Sequence, residues 1–157
     1  MEKVTVSICI ATRNRAEHLK PTLGSIEKSH VPAGWNVEIL LIDNGSKDET
    51  LSVMSSFSHP DMKSRILQEE RPGKSRALNR AIKESKGKVL LFTDDDVRVP
   101  KEWIECMCAP IRSGEADVVA GGVELADYLN HDWLTKKHKS FLASTENLSK
   151  NNPEHII

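Results

Sequence analysis

Long apolar runs are missing from this 157-residue chain. The longest, around residues 4–11 and 37–42, fall far short of the ~18 residues that a membrane-spanning helix needs. The N-terminus also lacks the charged start, apolar stretch and small-residue cleavage site of a signal peptide. A cytoplasmic protein is therefore expected, with any peripheral attachment to a membrane left to parts outside this sequence. A charge excess is missing too: 22 Lys and Arg stand against 23 Asp and Glu, which excludes the basic footprint of a nucleic-acid binder. Cysteine is scarce. Three residues, Cys9, Cys106 and Cys108, cannot build a disulfide framework, and an odd count suits a reducing compartment. Cys106 and Cys108 lie two apart in an expected helix, so they point to nearly opposite faces and do not chelate together. The six histidines are scattered without a paired metal spacing.

What remains is an ordinary globular composition, 38% hydrophobic and 29% charged, on a length that fits one domain. Residues 4–11 place Val4, Val6, Ile8 and Ile10 in strand alternation, and residues 17–28 then carry Leu19, Leu23 and Ile26 at helical spacing. Residues 37–42 form an almost continuous apolar run, which marks a strand covered on both faces. Ser46-Lys47-Asp48-Glu49 reads as a capping box opening a second helix. A brief third strand is expected over 65–68. A helix over 75–85 follows, ended by Gly87, and a buried fourth strand runs over 89–93. Pro100 opens a helix carrying Trp103, Ile104 and Met107. Residues 117–123 read as a fifth strand. Five alternations of strand and helix predict a mostly parallel α/β sheet with helices on both faces. Beyond Tyr128 the pattern fades into a polar connection, and residues 149–155 read as a tail.

Open parallel sheets bind ligands at the carboxyl ends of their strands, so the polar residues there are the informative ones. Ala11-Thr12-Arg13-Asn14-Arg15 follow the first strand, Asp43-Asn44-Gly45-Ser46 end the second, and Asp94-Asp95-Asp96 follow the fourth. Three adjacent carboxylates repel one another unless a cation sits between them. One or two carboxylates plus substrate phosphates is the usual way of holding Mg²⁺ or Mn²⁺. A solvated acidic turn would carry the same triplet, but its place directly after Val89-Leu90-Leu91-Phe92 favours metal. Asp43 would suit a ribose, a base edge or a helix cap. Gly73-Lys74-Ser75 is not a P-loop, because Gln68 stands where that motif needs glycine, and G-x-G-x-x-G is absent after the first strand. Gly73 instead allows close backbone approach, with Lys74 or Arg76 near a diphosphate at a helix N-terminus.

Four pieces in order resemble the inverting family 2 glycosyltransferases of GT-A fold. They are Val6-Ser7-Ile8-Cys9-Ile10-Ala11-Thr12-Arg13-Asn14-Arg15, then Glu38-Ile39-Leu40-Leu41-Ile42-Asp43-Asn44-Gly45-Ser46-Lys47-Asp48, then Pro72-Gly73-Lys74-Ser75-Arg76-Ala77-Leu78-Asn79, and finally Gly87-Lys88-Val89-Leu90-Leu91-Phe92-Thr93-Asp94-Asp95-Asp96. The resemblance implies a Rossmann-like nucleotide-diphospho-sugar transferase fold, with a nucleotide-sugar-binding domain over 1–128. Residues 129–157 would connect to an acceptor-binding part that the sequence does not include. It implies that Ala11, Thr12, Arg13 and Arg15 line the nucleotide pocket and that Asp43 bonds the base, usually uracil. Gly73 and Lys74 fall on the donor, Asp94 and Asp95 on its ribose or sugar, and Asp96 on Mn²⁺ or Mg²⁺, with Asp95 an alternative ligand. The implied activity is inverting transfer of sugar from a nucleotide sugar, expected to be UDP-linked, to a carbohydrate or lipid-linked acceptor. The alternative is a non-catalytic nucleotide-binding or partner-binding module on the same fold. Leu78 departs from a position often basic in relatives. No segment matches the family's general base, and Glu124, Asp127 and Asp132 take no such role. An uncovered sheet face would give a route to self-association.

Overall fold

The computed structural model describes residues 5–142, with side chains described through Lys139. The expected strand start at Val4 and the tail over 149–155 lie outside the described residues. Two compact units divide the chain, Met1–Ala109 and Pro110–Ile157.

The first unit holds four strands: β1 Thr5–Thr12, β2 Asn36–Asp43, β3 Met62–Gln68 and β4 Val89–Phe92. They form one sheet in the order β3-β2-β1-β4, parallel at every pairing. β1 matches β2 from Thr5–Asn36 to Thr12–Asp43, and β4 from Val6–Val89 to Cys9–Phe92. Every residue of β2 after Asn36 is buried, as its apolar run, interrupted only by Glu38, demands of a central strand. Edge strand β3 alternates instead and carries Lys63 and Arg65, charges that discourage edge-to-edge pairing.

Helices α1 Ala16–Ile26 and α2 Thr50–Ser56 carry the chain from β1 to β2 to β3; α3 Lys74–Glu84 returns it to β4 on the far side of β1. Right-handed crossovers moving in opposite directions must lie on opposite faces. The packing follows this rule. One core gathers Ile8 and Ile10 of β1 with Leu19, Leu23 and Ile26 of α1, Met54 of α2, and Ile104 and Cys108 of α4, which runs Trp103–Ser113. The other face packs Cys9, Leu40 and Ile42 against Ala77 and Ala81 of α3. Small residues on α3 let that helix lie close to the sheet. Burial pushes the Cys9 thiol up to about 12, with the Glu38 charge adding to it, so Cys9 serves as an inert core residue.

A polar network closes the opposite end of the sheet from the carboxyl rim. Ser7 Oγ donates to Glu38 Oε1 at 2.7 Å, Gly87 N donates to Ser7 Oγ at 2.8 Å, and Lys86 N donates to Glu38 Oε1 at 2.7 Å. Arg65 Nη1 bonds Glu38 Oε2 at 3.2 Å and the Glu84 carbonyl at 2.8 Å. Burial pushes Glu38 up, yet the bonds from Ser7, Lys86 and Arg65 outweigh it and hold the carboxyl below its usual range.

The structure corrects several expectations. The fifth strand over 117–123 does not form: Val118 is 66% and Val123 49% exposed, and the described sheet has four strands. Alternation had suggested a strand, but an unpaired one has no ladder for its backbone groups. The capping box also fails. α2 begins at Thr50 without a side-chain cap, because Ser46 Oγ accepts a bond from Asn14 N at 2.9 Å instead. Asp48 takes over the local role, accepting from Thr50 N at 3.1 Å, and the Thr50 hydroxyl bond draws its carboxyl below the usual range. Gly87 is not the helix cap, which falls at Ser85. Its requirement is room: a Cβ there would lie 2.4 Å from Ser7 N and 2.6 Å from Val6 C.

In the second unit, Asp127–Leu129 forms a 3₁₀ turn, and helix α5 Lys136–Leu142 lies within the residues expected to form a polar connection. Thr135 Oγ1 accepts from His138 N at 3.3 Å at the start of α5. Trp133 stacks on His131 with centroids 6.0 Å apart. No described helix is long and apolar enough to cross a membrane.

Candidate active site

The strand order reverses between β1 and β4, and at such a switch point the two flanking loops part to leave a crevice. A cleft of about 460 Å³ opens there, lined by the ends of β1 and β4, by Asn44 after β2 and by the start of α3. Three loops build it.

The loop after β1 supplies Ala11, Thr12, Arg13 and Arg15. Asn14 holds its shape with φ 50°, a left-handed conformation that asparagine tolerates better than most residues. Asn14 Oδ1 accepts from Lys47 N at 2.7 Å, so the loops after β1 and β2 are tied together.

The acidic turn after β4 divides its three carboxylates. Asp94 and Asp96 are half exposed, and each meets one cation: Asp94 pairs with Lys74 Nζ, and Asp96 Oδ2 accepts from Arg15 Nη2 at 2.7 Å. Asp95 is buried. Thr12 Oγ1 donates to its carboxylate, Arg15 Nε lies 2.9 Å from Oδ1, and its carbonyl accepts from Thr22 Oγ1 at 2.9 Å. Despite that ion-pair distance, Arg15 Nε is a buried nitrogen without an aligned hydrogen-bond acceptor. Arg15 thus meets Asp95 as an ion pair through Nε while its Nη2 bonds Asp96.

The third loop leads into α3. Gly73 adopts φ 130°, a backbone region costly for any residue with a Cβ, and its N–H donates to Asn44 Oδ1 at 2.8 Å. Lys74 follows as the first helical residue, so its side chain and the positive end of the helix face the same cleft. Arg76, the other candidate for a diphosphate contact, does not line it; Arg76 Nη1 turns back to the Pro72 carbonyl at 3.4 Å.

Like Arg76, Asp43 does not line the cleft. It is buried at the end of β2, and its carboxylate accepts from Ser46 N at 3.1 and 3.3 Å. Asn44 is the residue that sequence reasoning passed over. Its Nδ2 donates to the Glu69 and Arg71 carbonyls at 2.7 and 2.8 Å while Oδ1 takes Gly73 N, so one amide shapes the approach to α3. Beside it, hydrogen bonds from Arg71 draw the Glu69 carboxyl down to about 2.

Among the described residues no three His, Cys, Asp or Glu side chains converge on one point. The cleft offers two half-exposed carboxylates, three cationic side chains (Arg13, Arg15 and Lys74) and a helix N-terminus. That donor set suits a divalent ion shared with a phosphate ligand, not an all-protein metal cage.

The chain is similar to known proteins in sequence and in fold. The family description "Glycosyl transferase family 2" matches residues 7–156. Glycosyltransferase AglE of Haloferax volcanii is 31% identical over 150 residues, which is 94% of this chain and 49% of that protein. The chain thus spans about half the length of that relative. Among solved structures, Staphylococcus aureus TarS 1-349 in complex with UDP-GlcNAc is 27% identical, with a TM-score of 0.62 over 73% of this chain and 33% of that one. A mannosyltransferase from Pyrobaculum calidifontis in complex with GDP-Man and Mn²⁺ is 26% identical, with a TM-score of 0.61 over 80% of this chain and 36% of that one. With the parallel 3-2-1-4 sheet, the acidic turn at its switch point and a family match over nearly the whole sequence, this chain belongs to glycosyl transferase family 2 and has its GT-A fold.

Proposed function

We propose that the cleft binds the diphosphate of a nucleotide sugar together with Mn²⁺ or Mg²⁺, and that the protein transfers the sugar to an acceptor hydroxyl with inversion. The observation that carries this reading is the pairing of two half-exposed carboxylates, Asp94 and Asp96, with two cations, Lys74 and Arg15, at the switch point of the sheet. Each of the four charged groups has an obvious exchange partner in a metal diphosphate. Lys74 and the first N–H groups of α3 bind phosphate oxygens. Asp96 and Asp94 are the residues that would hold the metal, and Asp96 is the better placed of the two because Arg15 can turn to phosphate when it leaves. Asp95 is already committed to Thr12 and Arg15, so it orients these groups and the donor's ribose or sugar. When bound, the metal supplies Lewis acidity that neutralises charge growing on the departing diphosphate.

In the reaction the acceptor oxygen forms a bond to the anomeric carbon from the face opposite the leaving group. The bond from that carbon to the diphosphate oxygen breaks, and the acceptor's proton passes to a general base. The TarS and mannosyltransferase structures hold UDP-GlcNAc and GDP-Man respectively. These ligands support a nucleotide diphosphate sugar as the donor class, with UDP and GDP forms both to be tried.

The experiment is a melting-temperature screen of UDP- and GDP-sugars with Mn²⁺, with Mg²⁺ and with EDTA. A ligand that binds only the native state raises the melting temperature. At least one nucleotide sugar should do so with metal, and the shift should collapse in EDTA. Equal shifts with and without metal would refute the metal assignment, and no shift from any donor would refute the reading as a whole.

A further inference from the structure

A second concavity lies away from the cleft, between α1 and the segment that follows the acidic turn. Pro21, Gly24 and Ser25 of α1 and Lys28 in the turn after it line one side, and Arg98, Val99 and Lys101 the other. Three of these side chains are cationic and none is acidic. The ammonium groups of Lys28 and Lys101 and the guanidinium of Arg98 have no ion-pair partner among the described residues, although the chain carries 22 basic and 23 acidic groups in all. A concavity lined by charge of one sign focuses its field and concentrates counter-ions.

Two further observations show that the groove is shaped and not merely basic. Arg98 Nη1 is held at 2.9 Å by the Val97 carbonyl and at 3.3 Å by Thr22 Oγ1. Thr22 is wholly buried and itself donates to the Asp95 carbonyl. The guanidinium is therefore oriented beforehand, with its remaining donors available. The lining also contains Pro21 and Gly24, the two residue types least suited to a helix interior. Gly24 has no steric reason to be glycine: a Cβ there would meet nothing within 4 Å. Its consequence is an open floor on the groove, and a local rule broken without a packing gain marks a functional position.

We propose that this groove binds a phosphate or diphosphate group, with Arg98 as a forked donor and Lys28 and Lys101 as flanking charges. The volume of about 850 Å³ leaves room for the rest of a phosphorylated molecule against Pro21, Gly24 and Val99. The proposal stands apart from the donor reading, since it uses none of the cleft's residues.

The test uses the full chain labelled with ¹⁵N, in EDTA, so that metal-dependent donor binding does not contribute. Inorganic pyrophosphate is titrated in one arm; the other adds phosphatidylcholine vesicles with and without phosphatidic acid. Saturable shifts of the Gly24, Ser25, Val99 and Lys101 amides with pyrophosphate indicate a soluble phosphate ligand. The same amides responding only to phosphatidic acid vesicles indicate a lipid headgroup. Lys28→Gln with Lys101→Gln should weaken either response by roughly tenfold, the loss of two solvent-exposed, screened charge contacts. Gly24→Leu should abolish it while the protein keeps a cooperative melt. Silence of these amides in both arms would overturn the proposal, as would an undiminished response in both variants or shifts confined to Gly73, Lys74 and Asp94–Asp96. A donor screen that fails in Mn²⁺ leaves this outcome untouched, so the two readings fail separately.

Discussion

Replacing Gly87 by alanine should destabilise the protein although it adds only a methyl group. The added carbon would lie 2.4 Å from Ser7 N, 2.6 Å from Val6 C and 2.7 Å from Ser7 Oγ. Ordinary contacts of this kind are about 3.5–4.0 Å. Two of the three atoms belong to the backbone of a central strand, which cannot rotate aside. The segment before β4 must therefore lift, and three bonds loosen with it: Gly87 N to Ser7 Oγ, Lys86 N to Glu38 Oε1, and Lys88 N to the Thr5 carbonyl at 3.0 Å. Overpacking typically costs about 1–3 kcal/mol, and the part-buried Gly87 N–H left without Ser7 Oγ adds roughly 1 kcal/mol. Alanine's stiffer unfolded chain returns about 0.4–1 kcal/mol. The net loss is about 2–3 kcal/mol, a fall in melting temperature on the order of 5–10 °C for a chain of this size. Gly24→Ala is the matched control. Its methyl meets nothing within 4 Å, and alanine in a helix interior is better than glycine by about 0.5–1 kcal/mol, so this variant should melt higher. Urea and thermal unfolding of both variants give the answer. A neutral Gly87→Ala, or two shifts of the same sign, would refute the steric argument.

Asp96→Asn should remove the metal-dependent part of donor stabilisation while barely changing the unliganded melt, since its one partner, Arg15, is a half-exposed ion pair; calorimetry with Mn²⁺ and the best donor checks it. Asp43→Ala should lower unliganded stability by about 1–2 kcal/mol by freeing the Ser46 N–H, with donor affinity falling only through the disturbed turn. Direct base recognition would instead show as lost affinity at unchanged stability. Glu69 titrates near 2 when folded, below its ordinary 4.5, so the unfolded chain binds more protons between those values. Its contribution is complete above about 4.5 and is lost as pH falls toward about 2. Glu69→Gln should flatten that part of an acid-denaturation curve, and an unchanged slope would show that the Arg71 pair contributes nothing.

Burial pattern was the part of the fold most legible in sequence. β2 could be read as a central strand because its apolar run is interrupted only by Glu38, whereas the run Val89-Leu90-Leu91-Phe92 overstated the burial of β4, which lies at an edge of the described sheet with only Leu91 buried and Phe92 46% exposed. The acidic turn and the Gly73-Lys74 step were legible because strand ends in a parallel sheet share one rim. Features set by contacts between distant segments were not legible. Ser46 had the spacing of a capping residue, but Asn14, 32 positions earlier, claims its hydroxyl. Gly87 looked like a helix terminator, and only the approach of β1 shows what it is for. Residues 117–123 alternate like a strand, yet alternation carries no information about a pairing partner. Asn44 was overshadowed by its charged neighbour, although its amide shapes the loop at Gly73.

The network around Glu38 bears on how the molecule opens. An edge strand such as β3 would ordinarily fray first, its amides exchanging with solvent through small local excursions. Arg65, in the middle of β3, reaches both Glu38 on β2 and the end of α3. Peeling β3 away would strand a buried carboxylate and release the last turn of α3 in the same event. Hydrogen exchange in the Lys63–Arg65 part of β3 should therefore keep pace with α3 and approach the slow limit of the central strands, making edge strand and helix end one cooperative unit.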